Sequence, residues 1–183
     1  SEVGNPSSIH AFGRTARKHV EDARKKIADT LDVSSGQVFF NSGATEGNNT
    51  IIKGFAGKRI LISATEHSSV IDAGVQCELI PVKPSGLIDI DAFQKMVTDN
   101  PPALVSIMLV NNETGVIQPV ADISKIAKSV GALVHCDSVQ GYGRINFTRE
   151  SLGVDFLTLS SHKIGGPQGV GALIMSAGTT LPK

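Results

Sequence analysis

Side chains able to do chemistry follow most of the predicted strands of this 183-residue chain. Lys163 lies just after the apolar alternating run DFLTLS, and Asp137 lies directly after the buried-strand pattern ALVHC. Partial burial of an ammonium favours the neutral amine, the form that attacks a carbonyl carbon, whereas a carboxylate at a buried strand end needs a cationic or hydrogen-bonding partner. A surface lysine and a structural ion pair are the simpler interpretations of each residue taken alone.

A third candidate is the turn SGAT, residues 42–45, which leads into a predicted helix. Free N–H groups and the helix dipole at such a turn favour an anion such as phosphate. The turn lacks the lysine of a P-loop, and the chain has no complete GxGxxG motif, so an ordinary helix start is an equally good interpretation of the turn by itself. His67 lies near the next predicted helix start, where a histidine is usually a capping or hydrogen-bonding residue.

The elements that must position these residues alternate along the chain. Apolar and branched runs predict strands, and apolar residues at a three or four spacing predict helices. Strands are predicted at 37–41, 59–63, 77–82, 103–110, 132–136, 155–160 and 169–175, and helices at 16–31, 45–57, 64–76, 89–99, 119–131 and 147–153, the third capped by Thr65 or Ser68. This order favours an α/β fold with three αβα layers around a mostly parallel sheet.

Five polar clusters would meet at one edge of that sheet, because ligands of open parallel sheets bind outside the carboxyl ends of the strands. The clusters are NSGATEGNN, ATEH, NNETG, DSVQ and SSHK. A phosphate-binding turn, a carboxylate, a lysine and a ring that can stack are together what pyridoxal phosphate requires from a protein. The lysine would carry the aldehyde, the aspartate would pair with the ring nitrogen, and His67 would stack on the ring.

The composition argues against other classes of function. Seventeen basic and 17 acidic side chains cancel, so no overall charge favours nucleic acid or an anionic membrane. The longest apolar run, ALVSIMLV, is too short to span a bilayer, and no signal-peptide pattern opens the chain, which predicts a cytoplasmic or organelle-matrix protein. Cys77 and Cys136 lack metal-ligand spacing, so no metal site is predicted.

Taken together, the motifs resemble the NifS-like cysteine desulfurases of the class V aminotransferase family, which are pyridoxal phosphate enzymes of fold type I. The segments that carry the resemblance run in order from Gly4 to about Met175 and are NPSS.H..G, SGATEGNN, ATEH..V, VSIMLVNNETG, H.D..Q and SSHKI.GP.G.GAL. The resemblance implies that Lys163 is the Schiff-base lysine, that Asp137 pairs with the pyridine nitrogen, and that His67 stacks on the ring and helps to move protons.

The same resemblance implies further contacts and a reaction. L-cysteine would be converted to L-alanine, and an enzyme-bound persulfide would pass to an iron–sulfur scaffold or another sulfur-acceptor protein, in an enzyme that is a homodimer. The cofactor-binding residues it implies are Ala44 and Thr45 in the phosphate-binding turn, Ser160 and His162 beside the phosphate, Gln140 at the ring hydroxyl, and Asn112 near the ring and the substrate carboxylate.

Two departures from the family pattern limit this comparison. Ser-Ser-His-Lys stands at 160–163 where the family often has Ser-Gly-His-Lys. The family's smaller C-terminal domain, with its loop cysteine, does not follow the lysine segment, and the segment that precedes GNPSS in the family is missing too. Residues 1–183 are therefore predicted to be an incomplete pyridoxal phosphate-binding large domain, inactive alone, in which Cys77 and Cys136 only pack.

Two alternatives remain open from the sequence. The first is another enzyme of the same cofactor family, namely a selenocysteine lyase, an aminotransferase or a kynureninase-like hydrolase. The second is a catalytically inactive fragment that offers a dimer or scaffold surface.

Overall fold

The computed structural model describes residues 4–182, which form a seven-stranded sheet with helices on both faces. Residues 1–3 and 183, which the predicted domain includes, lie outside the described residues. The strands are β1 (Val38–Asn41), β2 (Ile60–Ser63), β3 (Glu78–Ile80), β4 (Leu104–Met108), β5 (Leu133–Asp137), β6 (Phe156–Ser160) and β7 (Gly171–Met175). The helices are α1 (Ala11–Leu31), α2 (Ala44–Gly54), α3 (Ser68–Ile71), α4 (Ile90–Asp99), α5 (Val120–Ser129) and α6 (Arg149–Leu152).

The strand order across the sheet is β1-β7-β6-β5-β4-β2-β3. Strands β2 to β6 pair in parallel, and β7 is antiparallel to both of its neighbours, β1 and β6. Consequently β1 runs in the same direction as the parallel strands, and the carboxyl ends of β1, β2, β4, β5 and β6 lie at one edge of the sheet. We call it the carboxyl edge.

The two faces of the sheet carry separate apolar clusters. On one face, which we call the α4 face, helices α1, α4, α5 and α6 cover strand residues such as Val134 and Leu157. On the opposite face, the α2 face, helices α2 and α3 cover residues such as Ile62 and Phe156. The α/β class and the three-layer, mostly parallel architecture are thus confirmed. Among residues 4–182, no helix has the length and apolar content needed to cross a bilayer.

Helix α2 lies close to the sheet because it has a glycine where it meets β6. A Cβ added to Gly47 would stand 2.9 Å from Thr158 Cγ2. Farther along the helix, Ile51 and Ile52 are fully buried against the α2 face. This close packing fixes the height of the first turn of α2 above the carboxyl edge.

The helix predicted over 64–76 is one turn long in the structure and comprises only α3. Neither Thr65 nor Ser68 caps it, because the side chain of His67 accepts the Ser69 N–H instead. Gly74 has φ of 75°, a left-handed conformation that ends any continuation of the helix. Only Ser69 and Val70 within this turn are buried, so little packing would reward a longer helix.

Candidate active site

A cavity of about 390 Å³ opens at the carboxyl edge. Its lining comes from all five polar clusters that follow predicted strands. The nine residues named from the sequence all line it: Ala44, Thr45, His67, Asn112, Asp137, Gln140, Ser160, His162 and Lys163. A larger cavity, of about 730 Å³, lies beside Tyr142 and residues 143–148 and is lined by none of the nine.

Asp137 is the buried anion of the cavity, with 4% of its surface exposed. Its Oδ2 accepts from Asn48 Nδ2 at 2.7 Å, and its Oδ1 accepts from the Val139 N–H at 3.0 Å. Burial raises the pKa of Asp137, whereas these two hydrogen bonds and the nearby His67 oppose the rise. Both hydrogen-bond donors are neutral, so they hold the carboxylate in place without neutralising its charge. The carboxylate can therefore stabilise a cation inside the cavity.

A chain of hydrogen bonds runs from Asp137 to His67. The second N–H of the Asn48 amide donates to Ser69 Oγ at 2.8 Å, and Ser69 Oγ lies 2.8 Å from His67 Nδ1. The Ser69 N–H also donates to His67 Nδ1, at 3.1 Å. Asn48 and Ser69 are buried, whereas His67 is exposed at the mouth of the cavity. The buried residues therefore anchor one edge of the exposed ring.

The turn SGAT begins α2, as the sequence predicts. Gly43 is the N-cap, and no side chain caps the helix there. The Glu46 carboxylate accepts from both the N–H and the hydroxyl of Ser42, at 2.7 and 2.6 Å, and these bonds lower the pKa of Glu46. One oxygen of the Glu46 carboxylate is thus engaged by Ser42, and both residues line the cavity beside the helix start.

Ser160 and His162 lie on the other side of this helix start. Ser160 is the last residue of β6, and its Oγ lies 2.8 Å from His162 Nδ1. Both residues line the cavity together with Ala44 and Thr45. Hydroxyl, imidazole and helix N–H groups therefore surround one end of the cavity, a combination that suits a phosphate.

Lys163 lies in a 3-10 helix, Ser161–Ile164, immediately after β6. The expectation that its ammonium is partly buried is wrong, because the side chain of Lys163 is exposed. The 3-10 helix begins after the last residue of β6, and His162, Lys163 and Ile164 within it are all exposed. The amine still borders the cavity that Asp137 and His67 line.

Arg144 connects the lysine segment to the segment that carries Gln140. One guanidinium nitrogen donates to the carbonyl of Lys163 at 2.7 Å, and the other donates to the carbonyl and to Oε1 of Gln140, both at 3.1 Å. Because Oε1 is used by Arg144, the amide nitrogen of Gln140 remains free to donate to a ring hydroxyl or its anion.

Asn111 holds the loop that presents Asn112. Its Oδ1 accepts from the N–H groups of Glu113 and Thr114, at 3.0 and 2.8 Å, and its Nδ2 donates to the carbonyl of Thr65 at 3.0 Å. Asn112 is exposed at the cavity, where a substrate could reach its amide.

Glu66 is a buried carboxyl group beside the site, 6% exposed. Its Oε1 accepts from the N–H of Met108, the last residue of β4, and its Oε2 has no hydrogen-bond partner. Burial, together with the charge of Asp137, raises the pKa of Glu66 well above its usual value, although the Met108 bond opposes the rise. We infer that Glu66 is neutral in the folded protein and that Asp137 is the anion of the pair.

The two cysteines do not line the cavity. Cys136 lies on the α4 face of β5, fully buried, and burial raises the pKa of its thiol. Cys77 precedes β3, which places it away from the carboxyl edge, and burial raises its pKa as well. Within residues 4–182, no group of three or more histidine, cysteine or carboxylate side chains is arranged to hold a metal ion.

The residues of the cavity fit pyridoxal phosphate. The start of α2, which no described side chain caps, lines the cavity together with Ser160 and His162, as a phosphate site requires. The buried Asp137 has only neutral hydrogen-bond donors, as the partner of a protonated ring nitrogen requires. Lys163 borders the same space with an amine. The observation that carries most weight is the buried Asp137 carboxylate, which faces the cavity with only neutral hydrogen-bond donors and can therefore stabilise a cation placed there.

Sequence reasoning missed four residues of this site, namely Asn48, Glu66, Ser69 and Arg144. Asn48 and Glu66 lie within the clusters NSGATEGNN and ATEH. Their polar side chains follow predicted strands, and this position could have indicated that they belong to the site. Ser69 and Arg144 gave none, since their roles depend on partners that only the fold brings near them.

Comparison with known proteins supports the interpretation of the fold. The family described as Aminotransferase class-V matches residues 1–181, so the chain belongs to this family and the predicted resemblance is confirmed. Among curated relatives, the cysteine desulfurase IscS of Dictyoglomus turgidum is 42% identical, over 98% of this chain and 49% of its own length.

Solved structures show the same similarity. A NifS-like protein from Rickettsia africae ESF-5 superposes with a TM-score of 0.92 at 41% identity, covering 98% of this chain and 52% of the other. A structure described as SspA in complex with cysteine superposes with a TM-score of 0.86 at 34% identity, covering 95% of this chain and 54% of the other. The chain thus spans about half the length of the relatives it matches.

Proposed function

We propose that the chain is the pyridoxal phosphate-binding part of a cysteine desulfurase, which converts L-cysteine to L-alanine and transfers the sulfur atom to a thiol as a persulfide. The observation that carries the proposal is the cavity in which Lys163 and His67 accompany the buried Asp137. Family membership and cysteine desulfurase relatives at about 40% identity support it.

Pyridoxal phosphate, when bound, supplies an aldehyde that captures amines and a ring that withdraws electrons from the captured substrate. Asp137 would keep a proton on the ring nitrogen, because the buried carboxylate stabilises a positive charge there. Lys163 would hold the aldehyde until substrate arrives and is exposed enough for an incoming amine to reach it. His67 would stack on the ring and hold or move a proton at its imidazole.

The remaining predicted residues would orient the cofactor and substrate. Ala44, Thr45, Ser160 and His162 would bind the phosphate, and the Gln140 amide would donate to the ring hydroxyl. Asn112 would contact the substrate carboxylate from its exposed loop.

The acceptor of sulfur would have to come from outside the residues described, because neither Cys77 nor Cys136 lines the cavity. In the overall reaction the C–S bond of L-cysteine and the S–H bond of the acceptor thiol would break. The substrate sulfur would join the acceptor sulfur as a persulfide, and the hydrogen from the acceptor thiol would complete the methyl group of L-alanine. We expect the chain by itself to hold the cofactor without completing this transfer. The iron–sulfur scaffold or other acceptor, the homodimer, the domain limits and the cytoplasmic or organelle-matrix location stay predictions.

The proposal is tested by incubating the purified chain with pyridoxal phosphate, reducing it with borohydride and locating the adduct by peptide mass mapping. We expect a visible absorption band before reduction and a single adduct on Lys163. Lys53, which is exposed on α2, is the matched control. Lys163→Ala should remove the band and the adduct, whereas Lys53→Ala should keep both. An adduct on another lysine, or none, would show that the cofactor assignment is wrong.

Addition of L-cysteine separates the proposal from a chain that only binds the cofactor. We expect the absorption band to shift as the substrate amine displaces Lys163, without repeated release of sulfide or alanine. An unchanged band would favour the inactive fragment, and sustained turnover would show that a thiol of this chain serves as acceptor after all. A selenocysteine lyase or an aminotransferase is not favoured, since curated relatives at about 40% identity are named cysteine desulfurases.

A further inference from the structure

We propose that Ser69 is a positioning residue that fixes His67 in the tautomer with its proton on Nε2 and connects the ring, through Asn48, to Asp137. The tautomer itself follows from the hydrogen bonds of the chain, and only its catalytic consequence rests on the proposed function.

The direction of each hydrogen bond follows from the chemistry of its partners. An ionised Asp137 can only accept, so the atom of Asn48 that faces it at 2.7 Å is the amide nitrogen. The second hydrogen of that nitrogen points to Ser69 Oγ, which accepts it at 2.8 Å. The hydroxyl hydrogen of Ser69 is then free for His67 Nδ1, which lies 2.8 Å away.

A second hydrogen bond leads to the same tautomer independently. The Ser69 N–H donates to His67 Nδ1 at 3.1 Å, and through this bond His67 caps α3. A backbone N–H has no acceptor role, so Nδ1 must present its lone pair. Both donors of Ser69 therefore favour an unprotonated Nδ1, and the proton of a neutral His67 is left on Nε2.

Burial makes this arrangement selective. Asn48 is fully buried and Ser69 is 8% exposed, so water competes little for their hydrogen bonds. His67 itself is exposed, and without this anchor its ring would turn freely at the cavity mouth. In the proposed desulfurase, His67 would then exchange a proton with substrate at Nε2, while Nδ1 stays bound to Ser69.

The test is the ratio of the two tautomers of His67, measured by two-dimensional ¹H–¹⁵N NMR of the imidazole at about pH 8. The signals of His67 are assigned by their loss in His67→Asn. We expect the Nε2–H tautomer to predominate in the unaltered protein. In Ser69→Ala we expect the ratio of Nε2–H to Nδ1–H to fall about 2- to 10-fold, the effect of losing one hydrogen bond.

Matched variants separate this role from a merely structural one. Ser68→Ala removes the exposed neighbouring hydroxyl and should leave the ratio unchanged, whereas Ser69→Thr keeps the hydroxyl and should restore it. If Ser69→Ala does not fold, Ser69→Cys, a weaker donor, should shift the ratio in the same direction. A proton on Nδ1 in the unaltered protein, or a ratio that does not respond to loss of the Ser69 hydroxyl, would overturn the inference.

The measurement needs no cofactor, so its outcome is independent of the proposed function. If pyridoxal phosphate fails to bind while the tautomer behaves as expected, the function is wrong and the positioning role stands. If the cofactor binds Lys163 but the tautomer is mixed in the unaltered protein, the proposed function stands and the positioning role of Ser69 is wrong.

Discussion

The two faces of the sheet use the same strands for different purposes. On the α4 face, the central strands contribute apolar residues such as Val105, Val134 and Leu157. On the α2 face, the alternate positions of the same strands carry Ser106, His135 and Thr158, all fully buried. Both faces thus supply apolar packing, and the α2 face in addition carries polar groups from the middle of the sheet to the carboxyl edge.

The polar row on the α2 face is internally satisfied. Ser106 Oγ lies 2.8 Å from His135 Nδ1, and His135 Nε2 lies 2.9 Å from Thr158 Oγ1. Because strand side chains alternate with a period of two, the next residues on this face line the cavity, namely Met108, Asp137 and Ser160. The comparison teaches that the floor of the site is supported by a buried hydrogen-bonded row beside the apolar cluster of the α2 face, whereas the central strands contribute apolar residues to the α4 face.

The largest effect on stability is expected on the α4 face. Phe93 of α4 is fully buried in its cluster, so Phe93→Ala should lower the free energy of unfolding by about 3–5 kcal/mol in urea titrations. Phe39→Ala is the control. This edge-strand side chain is 49% exposed, so its truncation should lower the free energy of unfolding by less than about 1 kcal/mol. If Phe93→Ala also weakened cofactor binding in the folded fraction, the division of roles between the faces would be wrong.

The next largest effect is the acid sensitivity of the α2 face. Burial lowers the pKa of His135 to about 3. Between about pH 6.5 and 3 the unfolded chain binds a proton there that the folded protein does not, so stability falls as pH falls, by about 1.4 kcal/mol per pH unit. Between pH 7 and pH 5, the free energy of unfolding of His135→Gln should therefore fall by about 2 kcal/mol less than that of the unaltered protein, as measured by denaturant titration at both pH values. Equal losses would contradict the burial of a neutral His135.

Glu66 predicts a pH dependence of opposite sign at the carboxyl edge. Its raised pKa means that the folded protein keeps a proton that the unfolded chain releases above about pH 4.5, so the stability contributed by the neutral carboxyl is lost as pH rises toward the folded pKa. Glu66→Gln removes this ionisation, so its free energy of unfolding relative to that of the unaltered protein should be higher at pH 8 than at pH 4. A pH-independent difference in thermal melts would show that Glu66 is ionised in the fold.

The smallest effect is expected at the exposed rim of the cavity. Arg144→Met removes the guanidinium bonds to Lys163 and Gln140, and because these bonds are exposed, the dissociation constant of pyridoxal phosphate should rise only about 2- to 5-fold. Arg144→Lys, which can still donate to one carbonyl, should give an intermediate value in absorbance titrations. A loss as large as that of Lys163→Ala would mean that the rim, rather than the buried floor, holds the cofactor.

Much of this organisation could be predicted from residue patterns. The alternation of elements indicates the α/β class, and the polar residues after ALVHC and DFLTLS lie at the edge where parallel strands place their carboxyl ends. The same patterns were less informative about degree of burial. Lys163 is exposed in the 3-10 helix that follows β6, and the helix predicted over 64–76 is one turn long because His67 caps it late and the helix already ends at Ile71.

The sequence by itself determined which residue types follow which strands, because hydrophobic periodicity and strand order are local properties that the chain displays directly. Only the tertiary structure decided the partners of those residues. Asn48 reaches Asp137 across 89 positions of sequence, and Arg144 reaches the carbonyl of Lys163 across 19. Such pairs form because helix packing brings the donors to the carboxyl edge, and no spacing along the chain encodes that distance.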